Sequence, residues 1–225
     1  MLKKLIRYLL LLTLWFVTTS SYSQSLPQVI NPNNQIIHYD GYTISYNETY
    51  EQPNWVYYVL KPSDLIGEPT KRRNNFRVDS GIESGTASLD DYVGSGYDRG
   101  HLKPAGDEPC DSTQMSETFY MSNISPQDPS FNRGIWKKLE NYVRTITETS
   151  DSVVVITGGV LTEGLKTIGE NEVAVPEFFF KVLYIYSDGG LVIRPFLLKN
   201  EKSNESLNTF LLELMVLSDF IGLYF

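Results

Sequence analysis

Cysteine, histidine and long apolar runs are all scarce in this sequence. Cys110 is the only cysteine among 225 residues, so no intramolecular disulfide can form and stability must come from the core, helped by any bound ion. Without a neighbouring histidine, that thiol reads as an incidental, partly buried group rather than a nucleophile. Beyond the first residues, no apolar stretch is long enough to span a bilayer. Positive charge is short as well: 19 Lys and Arg stand against 27 Asp and Glu, a formal net charge of −8. Binding to a polyanion therefore cannot be read from overall charge. It would have to come from local clusters, and Lys71, Arg72, Arg73 and Arg77 form one while Arg133, Lys137, Lys138 and Arg144 form another. Either could equally be an ordinary solvated face.

The extreme N-terminus is set apart before any fold is considered. Lys3, Lys4 and Arg7 precede a Leu-rich run that reaches Val17 and gives way to Thr and Ser. That is the pattern of a secretory signal peptide over residues 1–23, cut near Ser21-Tyr22-Ser23; an uncleaved anchor is the alternative. No Cys follows the run to accept a lipid. Cleavage removes those three cations and no acid, taking the net charge from −8 to −11. An exported protein is expected, periplasmic or extracellular, with no stable membrane association once the leader is gone.

Residues 24–38 are rich in Asn, Gln, Pro and Ser and read as an extended lead-in, with one domain over residues 39–225. Tyr42–Tyr46 and Trp55–Leu60, rich in aromatic and β-branched residues, are predicted strands of a hairpin. Residues 61–95 are polar and punctuated by Gly and Pro, a long loop region of the kind that usually carries function. A strand is predicted over Phe119–Ile124, followed by a turn over Ser125–Ser130 that supplies helix-start chemistry. From Phe131 to about Glu148, Ile135, Leu139, Tyr142, Val143 and Ile146 fall at helical spacing. Ser152–Thr157, Phe178–Tyr186 and Leu191–Leu198 are further strands, the last two joined across Ser187-Asp188-Gly189-Gly190. An apolar-rich helix over Glu205–Leu217 ends the pattern. The architecture expected is α+β, a central, mainly antiparallel sheet with flanking helices.

The two histidines differ in setting. His38 lies in the lead-in beside Ile36 and Ile37 and shows no sign of a role. His101 stands in Ser95-Gly96-Tyr97-Asp98-Arg99-Gly100-His101-Leu102-Lys103-Pro104-Ala105-Gly106-Asp107, where glycines, a cation, an anion and an imidazole crowd together. An unperturbed imidazole titrates near neutrality and can take a proton from water, which suits general-base hydrolysis. On these residues alone, a histidine beside an arginine in a Gly-rich loop is more often structural than catalytic.

The string Asp98-Arg99-Gly100-His101 resembles the signature of the DNA/RNA non-specific endonuclease family, which takes in secreted bacterial and mitochondrial nucleases. The resemblance continues in order through Ser122-Asn123-Ile124-Ser125-Pro126-Gln127, Phe131-Asn132-Arg133-Gly134-Ile135-Trp136, Leu139-Glu140 and Val175-Pro176-Glu177-Phe178-Phe179-Phe180-Lys181. It implies a ββα-metal (His-Me finger) site and cleavage of DNA and RNA to 5′-phosphate and 3′-hydroxyl ends. On that pattern His101 activates water, and Asn132 is the direct protein ligand of Mg²⁺, with Mn²⁺ as an alternative metal. Arg99 and Arg144 neutralise the phosphate, and Arg72 does so less securely because Arg73 is adjacent. Asn123 either braces the metal-site loop or caps its strand. Asp98 is expected to orient the loop or Arg99.

Geometry divides the work between Asn132 and Glu140. In a continuous helix their backbones lie about 12 Å apart, so both can hardly be short ligands of one ion. Glu140 is therefore expected to act through a metal-bound water, or to pair with Arg144 at i,i+4 spacing. Two other classes of function stay open: a catalytically silent nucleic-acid-binding or interaction protein of the same fold, and a phosphodiesterase for small nucleotides. A homodimer is possible. The chain stops at Gly222-Leu223-Tyr224-Phe225, short of the usual family pattern, which leaves a truncated or altered C-terminus open.

Overall fold

The computed structural model describes residues 34–225; the expected signal peptide and most of the lead-in lie outside the described residues. Antiparallel pairing builds one six-stranded sheet in the order β1 (Gln35–His38), β2 (Thr43–Asn47), β3 (Gln52–Leu60), β6 (Ser152–Gly159), β9 (Phe178–Ser187) and β10 (Gly190–Lys199). The strand residues alternate as a two-sided sheet requires. Val56, Tyr58, Val153, Val155, Leu183 and Phe196 point to one face, and Trp55, Val154, Ile156, Phe180 and Val182 to the other.

The first face is covered by α3 (Lys137–Thr147), which lays down Leu139 and Val143, together with Phe131, Ile135 and Trp136 from the turns before it. Asp128 starts that segment, its carboxylate accepting from the backbone N–H of Ser130 and Phe131, with Pro129 in the first turn. The second face is covered by α4 (Leu214–Ile221) through Leu217, and by Leu223 beyond it. Against the α3 side stands a small ladder, β4 (Asp98–His101) paired with β5 (Ile124–Gln127). Two smaller pieces lie outside these layers: the short helix α1 (Ser112–Glu117), capped by the Asp111 carboxylate, and a second ladder of β7 (Thr167–Ile168) with β8 (Val173–Ala174). Among the described residues no helix is long and apolar enough to cross a membrane.

The expected α+β architecture is present, with four local corrections. The sheet begins before Tyr39, because Gln35–His38 pairs with Thr43–Tyr46; polar composition hid a strand whose partner supplies the order. The strand expected over Phe119–Ile124 is displaced. Residues around Tyr120 bridge to Arg77 instead, Met121–Asn123 make a tight turn, and the strand runs Ile124–Gln127, through what read as turn residues.

The helix expected from Phe131 is broken. After Pro129–Phe131 (α2), the Lys137 N–H reaches back five residues to the Asn132 carbonyl, and Gly134 holds non-helical dihedrals of φ −106° and ψ −107°. The final helix begins only at Leu214, because residues 207–210 form a short 3₁₀ turn and Leu211 bridges to Phe196. Residues 61–95 are irregular, as expected, apart from two short 3₁₀ turns.

Candidate active site

A cleft of about 410 Å³ opens between the β4–β5 ladder and the N-terminal end of α3; Arg72, Arg99, His101, Asn132, Glu140 and Arg144 all line it. Each arrives by a separate route. Arg99 and His101 come from β4, Arg72 from the long loop, Asn132 from the turn before α3, and Glu140 and Arg144 from α3 itself.

The chain kinks between Asn132 and Glu140, where Gly134 holds non-helical dihedrals. The continuous helix assumed from the sequence is thus corrected, and both side chains nonetheless line the same cleft.

His101 is held on three sides. Its backbone pairs with Ile124 in the ladder, its carbonyl accepts from the Trp136 indole N–H at 3.4 Å, and its ring packs edge-on against Phe119 at 4.8 Å and tilted against Phe76 at 5.3 Å. Its Nε2 is buried and makes no hydrogen bond within the protein. Burial pushes the imidazole pKa down to about 3, helped by the positive charges of Arg72 and Arg99. The ring is therefore neutral and able to accept a proton across the whole neutral range.

Asn123 resolves in favour of bracing. Its amide oxygen accepts from the Lys103 N–H, and its NH₂ donates to the Lys103 and Thr118 carbonyls, each at 2.9 Å. This fully buried side chain ties the residues just after His101 to the turn before β5.

Asp98 is hydrogen-bonded by Asn132 and Arg133, with the charge of Arg99 also acting on it. The Asn132 amide donates to Oδ2 at 2.9 Å, and Arg133 donates from Nε and Nη2 at 2.8 and 2.6 Å. Burial works against this carboxylate, but those donors hold its pKa below the usual range. A carboxylate only accepts, so the Asn132 NH₂ must face Asp98 and its Oδ1 is left for a cation. Arg99 instead lies over the Phe76 ring at 4.5 Å.

Arg144 makes its ion pair with Asp107, donating from Nη1 to Oδ1 at 2.6 Å, and its charge also acts on Glu140. The strongest charge partner of Glu140 is Lys181, a fully buried lysine on β9 whose Nζ lies 3.5 Å from the Leu102 carbonyl and 4.7 Å from the Trp136 ring. Burial raises the Glu140 pKa and lowers that of Lys181, and each charge opposes the shift of the other.

Of the first basic cluster only Arg72 reaches the cleft, stacked over Phe119 at 4.9 Å, which separates it from Arg73. Arg77 is committed to the Asn75 and Ser116 carbonyls and the Tyr120 ring. From the second cluster Arg133 and Lys137 join Arg144 on the rim. Sequence reasoning assigned no role to Lys181 or Asp107, although both lie within or beside the family motifs. A buried charge's partner is not encoded by local spacing.

Among the described residues no group of three or more His, Cys, Asp or Glu side chains converges to cage a metal. One amide oxygen and one carboxylate in the same cleft fit a hard cation that keeps most of its water, as Mg²⁺ does.

Comparison with known proteins identifies the family. The family profile described as DNA/RNA non-specific endonuclease matches residues 22–225. Mitochondrial nuclease EXOG of Danio rerio is 39% identical over 161 residues, 67% of this chain and 47% of that protein. Human mitochondrial endonuclease G is 35% identical over 180 residues, 75% of this chain and 61% of that protein. The chain spans about half the length of the curated relatives it matches. Among solved structures, one of the EndoG/EndoGI complex, titled for the mechanism of EndoG inhibition, superposes with a TM-score of 0.79 at 30% identity, covering 84% of each chain. Sequence and fold alike place this chain in the DNA/RNA non-specific endonuclease family.

Proposed function

We propose that the chain is an exported endonuclease that hydrolyses phosphodiester bonds of DNA and RNA with little sequence preference. The observation that carries this reading is the convergence in one cleft of a neutral histidine with an unpartnered Nε2, an asparagine whose amide oxygen is turned outward, and three arginines.

In this reading His101 accepts a proton from the attacking water, as its neutral state allows. Arg72, Arg99 and Arg144 are fixed around the phosphate before the reaction, so their charges meet the negative charge that develops on its oxygens without reorganisation. Asn132 and Glu140 would hold a Mg²⁺ ion, Asn132 directly and Glu140 through water. When bound, that ion supplies Lewis-acid stabilisation of the leaving 3′ oxygen. Asn123 and Asp98 keep the loop and the Asn132 amide oriented. The arginines meet phosphate and not base edges, which supports broad specificity. Export rests on the N-terminal charge and apolar pattern of residues 1–23, and sequencing the N-terminus of the secreted chain tests it.

The decisive experiment is digestion of circular double-stranded DNA and structured RNA by the purified chain with Mg²⁺, with EDTA, and with His101→Ala. Cleavage of both polymers is expected, abolished by EDTA and lowered about 10³-fold by the substitution. A folded wild-type chain that cuts neither polymer with Mg²⁺ or Mn²⁺ would sink the proposal.

A further inference from the structure

Arg144 is not a free surface arginine; it occupies a seat. Its Nη1 donates to Asp107 Oδ1 at 2.6 Å, and its Nη2 donates to Asn141 Oδ1. Asp107 is fully buried, and its other oxygen accepts from the Tyr58 hydroxyl at 3.0 Å. Tyr58 is itself buried in β3, at the centre of the sheet. The last wall is Gly106: a Cβ at that position would lie 3.1 Å from Arg144 Nη1, so the missing side chain lets the guanidinium lie against the backbone. Only 22% of the Arg144 side chain is exposed, against 73% for Arg133 on the rim.

We propose that Asp107, clamped by Tyr58 and flanked by Gly106, is the positioning residue that fixes the Arg144 guanidinium against the scissile phosphate. The inference rests on the assignment of Arg144 to that phosphate. The two seat bonds occupy one hydrogen on each terminal nitrogen. They leave the Nε–H and the remaining terminal hydrogens for phosphate oxygens. The seat holds the guanidinium in place before substrate arrives, so its charge meets the charge that develops in the transition state without reorganisation, and the contribution falls on kcat more than on KM.

The test is steady-state cleavage of double-stranded DNA at saturating Mg²⁺ by the wild-type chain, Asp107→Asn, Gly106→Ala, Arg144→Ala and the Asp107→Asn/Arg144→Ala double variant. Gly106 is exposed and its φ lies outside the left-handed region, so Gly106→Ala keeps the fold even where Asp107→Asn does not. Asp107→Asn and Gly106→Ala are each expected to lower kcat about 10-fold or more with KM within about threefold, and Asp107→Asn to add less than about threefold once Arg144 is gone. A merely structural Asp107 would give equal losses with and without Arg144. That result, or wild-type kcat in Gly106→Ala, overturns the seat while leaving the nuclease reading intact. Wild-type kcat in Arg144→Ala refutes the phosphate role of Arg144 and the seat with it, and an inactive wild type overturns the nuclease reading as well.

Discussion

His101 carries a proton in the unfolded chain below pH about 6.5, but in the folded cleft only below about 3. Between those values the unfolded state binds the extra proton, so stability must fall as the pH drops through this window. The wild-type chain in EDTA is expected to lose about 2 kcal/mol more than His101→Gln between pH 7 and 4.5, measured by urea unfolding. Full burial would cost about 1.36 kcal/mol for each pH unit below 6.5, and the partly exposed ring brings the total down. Equal losses in the two proteins would show that the ring is not held neutral. Asp98 acts at this scale too: one carboxylate decides which end of the Asn132 amide faces the cleft.

At the scale of elements, the β4–β5 ladder and the turn before α3 form the two walls that must stay in register. Gly100 shows how tight the first wall is. A Cβ there would come 2.2 Å from the amide carbon of Gln127, a fully buried side chain on the facing strand. Because Gln127 is fully buried, Gly100→Ala forces either that side chain or the strands that present Arg99 and His101 to shift. The substitution is expected to cost about 3 kcal/mol and to depress cleavage together with stability. Unchanged unfolding by Gly100→Ala would mean the ladder is looser than its contacts require. The second wall depends on the kink at Gly134, on either side of which Asn132 and Glu140 reach the cleft.

For the whole molecule, net charge and local charge have opposite signs. The chain is acidic at −8 overall, yet the cleft gathers Arg72, Arg99, Arg133, Lys137 and Arg144. A polymer would therefore be held by a few phosphate contacts within a repelling surround. The expected log–log slope of DNA affinity against salt is about −3, and Lys137→Ala should make it shallower by about 1. Fluorescence anisotropy with His101→Ala protein and a labelled duplex, titrated across a range of salt from about 50 to about 200 mM, measures both values. A slope near zero would argue against phosphate-led binding.

Residue order alone was enough for the inner strands and the motif residues. β2, β3, β6, β9 and β10 are legible because short runs rich in aromatic and β-branched residues suit buried strands, and α3 because Leu139 and Val143 repeat at helical spacing. His101, Asn132, Glu140, Arg99 and Arg144 were legible as a set through the order of their motifs. Tertiary structure decided what those residues touch. It separated Arg72 from Arg73, gave Asp98 to Asn132 and Arg133, paired Arg144 with Asp107, and set the buried Lys181 opposite Glu140. It also turned polar Gln35–His38 into an edge strand and bent the helix at Gly134. The physical reason is common to all of these. Periodicity records whether a residue meets water, a local matter, whereas a buried charge or amide is satisfied by whichever group the fold brings near, 34 positions away for Asp98 and Asn132, and 79 for Lys181 and Leu102.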